Sequence, residues 1–468
     1  MFFKQFKVEG MGCLSYMIGC PRVGHAFVVD PKRDIHDYLA VARQEQMEIV
    51  GIIETHLHAD HVSGARELQA ETNAPVYIGE GTPVSYDARF LKDGDVFTFG
   101  SVKMEIVSTP GHTPASISIA VSDLSRGDTV QLLLTGDLLF VGSVGRPDLA
   151  GDERLEEQIQ NLHASLHEKL GRFEDQVEIF PAHGEGSACG KGISAKPSST
   201  LGYERRTNPY LSLDFGTFAE EIKTAIPRRP RNFSHILEMN SQGAPAVSSL
   251  PPVYALEFLD IKRALGKGFT VIDLRDAACF GGAHIPGSLN IGFAPSSTSW
   301  LADVVNPATH LVLVAPEEEL VRKAVTMFRR AGYDQIYGFC IGVMNWVLAG
   351  EKTGFLPQLS VHALHRVLEK YENHVLLDVR TNEEWESGHV AGAVHVPIHD
   401  LLDGKGNLGD DVTKETHVSV ICRSGYRSNI AASYLKSKGY AHVYSVIGGM
   451  STWERVYGMR RPGGSGRG

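Results

Sequence analysis

Short apolar runs punctuate residues 1 to about 240: Phe27-Val-Val29, Val76-Tyr-Ile78, Val102 to Val107, Ile117 to Val121 and Val130 to Leu134. Runs of this length, bounded by polar or glycine-containing turns, predict strands. Longer stretches from Ile35 to Met47 and from Leu155 to Gly171 predict helices. Many strands with helices outside them predict a two-sheet sandwich covered by helices.

The second half of the chain has another texture, because it repeats. Val271-Ile-Asp-Leu-Arg275 followed by Gly282-Ala-His-Ile-Pro-Gly287 matches Leu376-Leu-Asp-Val-Arg380 followed by Gly388-His-Val-Ala-Gly392. Asp273 and Asp378 are 105 residues apart, and Trp346 and Trp453 are 107 apart. Each copy reads as a short apolar strand, a polar loop, another strand (Leu311-Val-Leu-Val314; Val418-Ser-Val-Ile-Cys422) and a helical segment such as Ser428 to Lys438. Strands alternating with helices predict an α/β domain with a parallel sheet covered on both faces. Pro and Gly mark the joints at Ser241 to Pro252 and Thr353 to Pro357. The expected domains are 1–240, 252–352 and 357–458, with a disordered tail over 459–468.

Length and charge narrow the class. At 468 residues the chain is too long for one core, since roughly 150 residues per domain is usual. A formal net charge of -10 argues against nucleic acid or an anionic membrane as partner. No apolar run approaches the roughly 20 residues that a bilayer demands, and the start lacks signal-peptide features, so a cytoplasmic location is expected. The cysteines, Cys13, Cys20, Cys189, Cys279, Cys340 and Cys422, follow no regular spacing, so free thiols are expected rather than a disulfide framework.

Two constellations carry chemistry. Thr55-His-Leu-His-Ala-Asp-His61 follows the apolar run Ile49 to Ile53 and crowds three histidines and an aspartate into six positions. His112, Asp137 and His183 each follow a strand-like run, and ligands on loops at strand ends can converge on one point. Imidazole with carboxylate suits zinc or iron, and the absence of cysteine from this set disfavours a structural zinc.

The pattern His-x-His-x-Asp-His, then His, Asp and His, resembles the metallo-β-lactamase superfamily over residues 1 to about 240, which implies an αββα sandwich. Two branches have this ligand text. Glyoxalase II-like thioester hydrolases would hold two zinc ions, with His56, His58 and His112 at one, Asp60, His61 and His183 at the other, and Asp137 bridging. Persulfide dioxygenases would hold one ferrous iron through His56, His112 and Asp137, a face that leaves positions open for O2 and a substrate sulfur. His58, Asp60, His61 and His183 would then orient ligands and water. The stretches Gly136 to Leu149, Pro181 to Lys191 and Leu201 to Leu211 look like the persulfide dioxygenases fused to sulfurtransferase domains; Ala115 departs from the glycine common there. Arg146 either meets a carboxylate of the thiol substrate or closes an internal salt bridge. Cys189 either carries a persulfide near the iron or is an inert buried thiol.

In the second constellation, Val418 to Ser428 places Cys422 at the end of an apolar strand with a helix immediately after it. Backbone N–H groups of such a loop can wrap a sulfur, and the helix dipole with Arg423 and Arg427 adds positive potential, so the loop is expected to favour a thiolate nucleophile. Cys-x4-Arg, with Asp378-Val-Arg380 upstream and Gly448 to Trp453 downstream, resembles the rhodanese domain and its sulfurtransferases. In the first copy Ala315 falls opposite Cys422, and Pro316-Glu-Glu-Glu319 replaces the basic loop. That copy is expected to be catalytically inactive, a spacer or docking platform. Cys279 and Cys340 fall opposite Glu384 and Ile447, so neither is a displaced nucleophile.

Together the resemblances imply an enzyme of sulfide detoxification. It would oxidise low-molecular-weight persulfides with O2 to sulfite and thiol, and move sulfur through a Cys422 persulfide to form thiosulfate. A homo-oligomer is expected.

Overall fold

Leu14–Cys20 is buried along its whole length, which places that strand inside a sheet covered on both faces. The computed structural model describes residues 1–8, 10–371, 373–409 and 412–458; the expected disordered tail, 459–468, lies outside them. The chain divides into two compact units. One comprises Met1–Leu250 with Thr326–Asp334, the other Pro251–Val325 with the residues from Gln335 onward.

The first unit contains two six-stranded sheets. In spatial order the first runs Phe2–Lys7, Leu14–Cys20, His25–Val29, Glu48–Glu54, Val76–Gly79 and Arg89–Leu91. The second runs Ser199–Thr200, Glu178–Pro181, Leu132–Gly136, Ile117–Asp123, Val102–Ser108 and Val96–Phe99. Tyr16, Ile18, Val29 and Ile53 from one sheet pack on Met104, Ile106, Ile119 and Leu134 from the other. The opposite face of the first sheet, with Met17, Val28 and Ile52, is covered by Tyr38, Val41 and Leu68 of the helices His36–Gln44 and Ala65–Thr72. The opposite face of the second, with Ala120, Leu133 and Ile179, is covered by Ile159, Leu162, Phe218 and Ile222 of Leu155–Ala164 and Phe215–Ala225. Burial of these alternate faces builds the four-layer αββα sandwich.

Element boundaries differ from expectation where backbone geometry intervenes. The first helix stops at Gln44 rather than Met47, because Gln46 adopts φ 55 and Met47 N–H turns back to the Ala42 carbonyl. The helix from Leu155 ends at Ala164 and continues to Arg172 as wider and then tighter turns. The strand expected from Val130 starts at Leu132.

The second unit holds the sheets of both repeats, and they are built alike. The first runs Tyr254–Ala255, Ile336–Ile341, Leu311–Ala315, Thr270–Asp273 and Leu289–Asn290, every pair parallel. The second runs Gln358–Leu359, His442–Val446, His417–Ile421, His374–Asp378 and Val394–His395, again parallel throughout. Asp273 pairs with Val314 and Asp378 with Ile421, so Ala315 and Cys422 occupy the same place one step beyond. Trp346 and Trp453 are likewise buried in matching clusters on one face of each sheet. No helix among the described residues is long and apolar enough to cross a membrane.

Candidate metal centre and cysteine loop

His56 and His58 follow the buried strand Glu48–Glu54, Asp137 follows Leu132–Gly136, and His183 follows Glu178–Pro181. The central strands thus deliver their ligands to one end of the sandwich. His112 arrives on the turn after Val102–Ser108, where Gly111, at φ 145, packs so tightly on Leu162 that a Cβ would lie 2.5 Å from its Cα. All seven sequence-derived metal-site residues are buried.

They separate into groups with different partners. His56, His112 and Asp137 form one cluster, with His56 Nε2 at 3.7 Å and His112 Nε2 at 3.3 Å from Asp137 Oδ2. These three atoms have no hydrogen-bond partner although they are buried, an uncommon arrangement in protein interiors and one that a bound cation would satisfy. The other ring nitrogens fix the tautomers. His112 Nδ1 lies 2.8 Å from the Arg146 carbonyl, which can only accept. Thr55 Oγ1 gives its proton to Asp30 Oδ2 at 2.8 Å and therefore accepts from His56 Nδ1 at 2.9 Å. Both histidines consequently aim a bare Nε2 lone pair at Asp137.

Electrostatics agrees with this division. Burial foremost, with the His58 charge, holds His56 well below the ordinary imidazole range, and burial likewise lowers His112. Burial opposes the charge on Asp137, yet His183, whose own value is raised well above the ordinary imidazole range, foremost holds its carboxyl below the usual range. Two neutral imidazoles and one carboxylate suit a divalent cation.

His58 is engaged elsewhere. Its Nε2 lies 2.9 Å from Glu54 Oε2 and 3.2 Å from Asp30 Oδ1. Burial disfavours its charge, but these two carboxylates win and raise it well above the ordinary range. His183 spans two aspartates, with Nδ1 at 2.6 Å from Asp137 Oδ1 and Nε2 at 2.7 Å from Asp60 Oδ2. His61 Nδ1 is 3.2 Å from Asp60 Oδ1; burial is outweighed there by Cys13 and Asp60, and His61 is pushed up to about 9.

Arg146 is buried. Its Nε and Nη2 meet Asp148 at 2.6 and 2.8 Å, and the remaining donors reach the carbonyls of Ala188 and Pro227. Cys189 is also buried and shares a cluster with Asp137 and His183. Burial, reinforced by the Asp60 charge, pushes its thiol well above the ordinary range. Beside the triad lies a cleft of about 480 Å³ that includes Leu57, Thr113, Ala115, Arg154, Leu237 and Glu238. Leu57 and Thr113 are the chain neighbours of His56 and His112, so the cleft adjoins the triad.

The second centre lies in the other unit. Cys422 is buried at the end of its strand, and Gly425, at φ 112, turns its N–H onto Sγ at 3.1 Å before the helix Tyr426–Ser437 begins. Ser428 Oγ lies 3.7 Å from the same sulfur. Gly449 backs the loop so closely that a Cβ would fall 2.3 Å from the Cys422 carbonyl oxygen. Arg427 forms a bidentate pair with Glu384, both contacts at 2.7 Å, while Arg423 is exposed. The first repeat forms a wall of the adjoining cleft of about 530 Å³: Arg275, Phe293 and Pro316 face Ser424, Gly425 and Tyr426. Tyr426 ties the repeats together by donating to the Gly292 carbonyl at 2.7 Å. The repeat lacking the cysteine thus shapes the approach to the repeat that has it.

Residues 8–183 match the metallo-beta-lactamase superfamily, and residues 258–349 and 360–456 each match the rhodanese-like domain. Among curated proteins, a hydroxyacylglutathione hydrolase of Polaromonas sp. is 33% identical over 173 residues, 36% of this chain and 61% of that protein's length. The mitochondrial persulfide dioxygenase of Bos taurus is 25% identical over 230 residues, 48% of this chain and 82% of that protein. Among solved structures, a metallo-beta-lactamase from Staphylococcus aureus superposes with a TM-score of 0.66 at 31% identity, covering 73% of this chain and 99% of that one. The chain belongs to the metallo-beta-lactamase superfamily. It carries, after that domain, a tandem pair of rhodanese-like domains.

Sequence reading missed Asp30, Thr55, Glu54 and Cys13 as parts of the centre. Asp30 carries one local signal, that it ends an apolar run as a charged residue; in the structure it holds φ 51, a left-handed conformation that aspartate adopts more readily than most residues. Its carboxylate accepts from Thr55 N–H and Oγ1 at 2.7 and 2.8 Å.

Proposed function

We propose that this protein oxidises small-molecule persulfides with O2 and couples that reaction to sulfur transfer through Cys422. The observation that carries the reading is the convergence of three buried, unpartnered atoms, His56 Nε2, His112 Nε2 and Asp137 Oδ2. Two imidazoles and one carboxylate on one face fit a ferrous ion, which when bound would supply open positions for O2 and a sulfur ligand. The 25% identity to a persulfide dioxygenase and the rhodanese-like pair support the same sulfur chemistry.

The chain's own groups have definite tasks. Thr55 and the Arg146 carbonyl hold the two imidazoles in the Nε2-bare tautomer. His183 anchors Asp137 Oδ1, which leaves Oδ2 toward the triad. The cleft over Leu57 and Thr113 receives the thiol carrier; its mixed lining, with Arg154 and Glu238, suits a small zwitterionic thiol. The overall change is RSSH + O2 + H2O to RSH and sulfurous acid, the latter ionising to sulfite. In the second centre the Cys422 sulfur attacks the outer sulfur of a persulfide and expels RSH, leaving Cys422–S–SH cradled by the Gly425 N–H. Sulfite then attacks that outer sulfur, giving thiosulfate and restoring Cys422.

An oxygen electrode tests the reading. Iron-loaded protein given glutathione persulfide consumes O2 and releases sulfite, and the His112→Ala variant does neither. A second reading, a two-zinc thioester hydrolase with an accessory sulfurtransferase pair, is favoured by the 33% identity to a hydroxyacylglutathione hydrolase. It predicts thioester cleavage without O2 uptake.

A further inference from the structure

Asn240 grips the backbone of the histidine-rich loop three times. Its Nδ2 donates to the carbonyls of His58 at 2.8 Å and His61 at 2.9 Å, and its Oδ1 accepts from the Ser63 N–H at 2.9 Å. The residue is buried and belongs to the helix Phe233–Gln242, whose Leu237, Glu238 and Ser241 line the cleft beside the triad. One helix therefore touches both the loop and the cleft.

That helix is itself held by a stretch of the first rhodanese-like repeat. Thr326–Asp334, which ends the helix Glu318–Arg330 and runs into the turn after it, folds with the metal-bearing unit. Asn232, just before Phe233–Gln242, donates to the Ala331 carbonyl at 3.1 Å, and His235 Nε2 donates to the Gly332 carbonyl at 3.2 Å. The same turn reaches the loop directly, because the Val62 N–H, next to His61, donates to the Arg330 carbonyl at 2.7 Å. Two bidentate ion pairs fix the turn in place. Arg330 meets the two oxygens of Asp34 at 2.5 and 2.7 Å, and Arg33 meets those of Asp334 at 2.5 and 2.8 Å while also donating to the Arg329 carbonyl at 2.6 Å. Paired forks of this kind fix geometry as well as charge.

We propose that Asn240 and Arg330 are positioning residues of the metal centre: they hold the loop from His58 to Ser63 in the place that the triad requires, and the repeat without a cysteine supplies Arg330 for that task. The proposal rests on the reading of His56, His112 and Asp137 as a metal-binding triad. The path from clamp to triad is continuous. Asp60 lies inside the clamped loop, its Oδ2 is 2.7 Å from His183 Nε2, and His183 Nδ1 is 2.6 Å from Asp137 Oδ1. A loop that drifts carries Asp60 with it, frees His183 and turns the Asp137 oxygen that faces His56 and His112. Metal–ligand distances are held to about 0.2 Å, so a small drift is enough to weaken binding.

The test titrates the metal-stripped full-length protein with cobalt(II), following the visible cobalt spectrum, and records the melting temperature of the metal-free protein beside it. Asn240→Ala and Arg330→Ala should each bind cobalt about 10-fold more weakly than the parent and shift its spectrum, at the low end of what losing an orienting partner costs. Arg330→Lys, which keeps a cation for Asp34, should recover most of the affinity. Asp34→Asn, which keeps the side-chain shape, breaks the same pair more gently and should weaken binding in the same direction even if Arg330→Ala fails to fold. A part in folding alone would lower the melting temperature of the metal-free variants and leave affinity and spectrum at the parental values, which overturns the proposal; so does a parent that binds no cobalt. Weakened cobalt binding in the variants, with no O2 uptake by the iron-loaded parent, would count against the dioxygenase reading alone. Parental cobalt binding in the variants, with O2 uptake intact, would count against these positions alone.

Discussion

Asp30 and Thr55 are joined twice: the Thr55 N–H reaches Asp30 Oδ1 at 2.7 Å and its hydroxyl reaches Oδ2 at 2.8 Å. The pair does more than close a turn, because the same hydroxyl lies 2.9 Å from His56 Nδ1 and so decides which nitrogen of that ring faces the triad. Thr55→Val keeps the shape and removes the hydroxyl. Metal affinity at the triad should fall about 10- to 100-fold, the usual cost of losing such an orienting partner. Competition against a chromophoric chelator measures this, and an unchanged affinity would show that His56 is oriented by packing alone.

Metal removal should also lower stability. Three unpartnered buried polar atoms are costly without a cation, and a ligand bound only by the folded state at a hundred times its Kd contributes about 2.7 kcal/mol. Melting curves of stripped and reloaded protein should therefore separate, and Asp137→Asn should shrink the gap. Superimposable curves would mean that the triad does not bind metal under those conditions.

The two centres should fail independently. Cys422→Ser should reduce thiosulfate sulfurtransferase activity to background while persulfide-driven O2 uptake continues. Ala315→Cys should add no activity, because Pro316 and the acidic residues after it replace the amide-lined, basic loop of the second repeat. Sulfur transfer in Ala315→Cys/Cys422→Ser would contradict this account.

Gly449 offers a sharper probe of the Cys422 loop. It holds φ 53, and a Cβ there would meet the Cys422 carbonyl oxygen at 2.3 Å. Gly449→Ala should displace the loop, abolish sulfur transfer and cost about 1 to 3 kcal/mol of stability in the second unit. Retained transfer would show that the loop tolerates a shift of that size.

One histidine outside both centres gives a pH test. Burial, then the charge of His417, push His374 down to about 4. A depressed folded value means that protonation favours the unfolded chain, so the contribution is intact above about 6.5 and drains as pH falls toward about 4. His374→Gln should flatten that part of the stability profile, modestly, because the ring is partly solvated. Parallel profiles for parent and variant would contradict the assignment.

Much of this was legible in the sequence for identifiable reasons. His-x-His-x-Asp-His is dense enough that neighbouring residues suffice to suggest a metal centre, and the internal repeat located Ala315 opposite Cys422 before any coordinates. Leu14–Cys20 was not singled out as a strand, because it is buried on both faces and shows no alternation. Cys13 was invisible as part of the centre because it lies 47 residues before Asp60 and is brought there only by its backbone bridge to His183. Thr55 and Asp30 were missed for a similar reason: hydrogen-bond direction, which decides their role, is a property of three dimensions.

The most direct measurement is anaerobic loading of the full chain with ferrous iron, then O2 uptake on adding glutathione persulfide. This account predicts one iron bound through His56, His112 and Asp137, and one O2 consumed per persulfide. Iron that fails to bind, or a two-zinc protein that cleaves thioesters and leaves oxygen untouched, would contradict it.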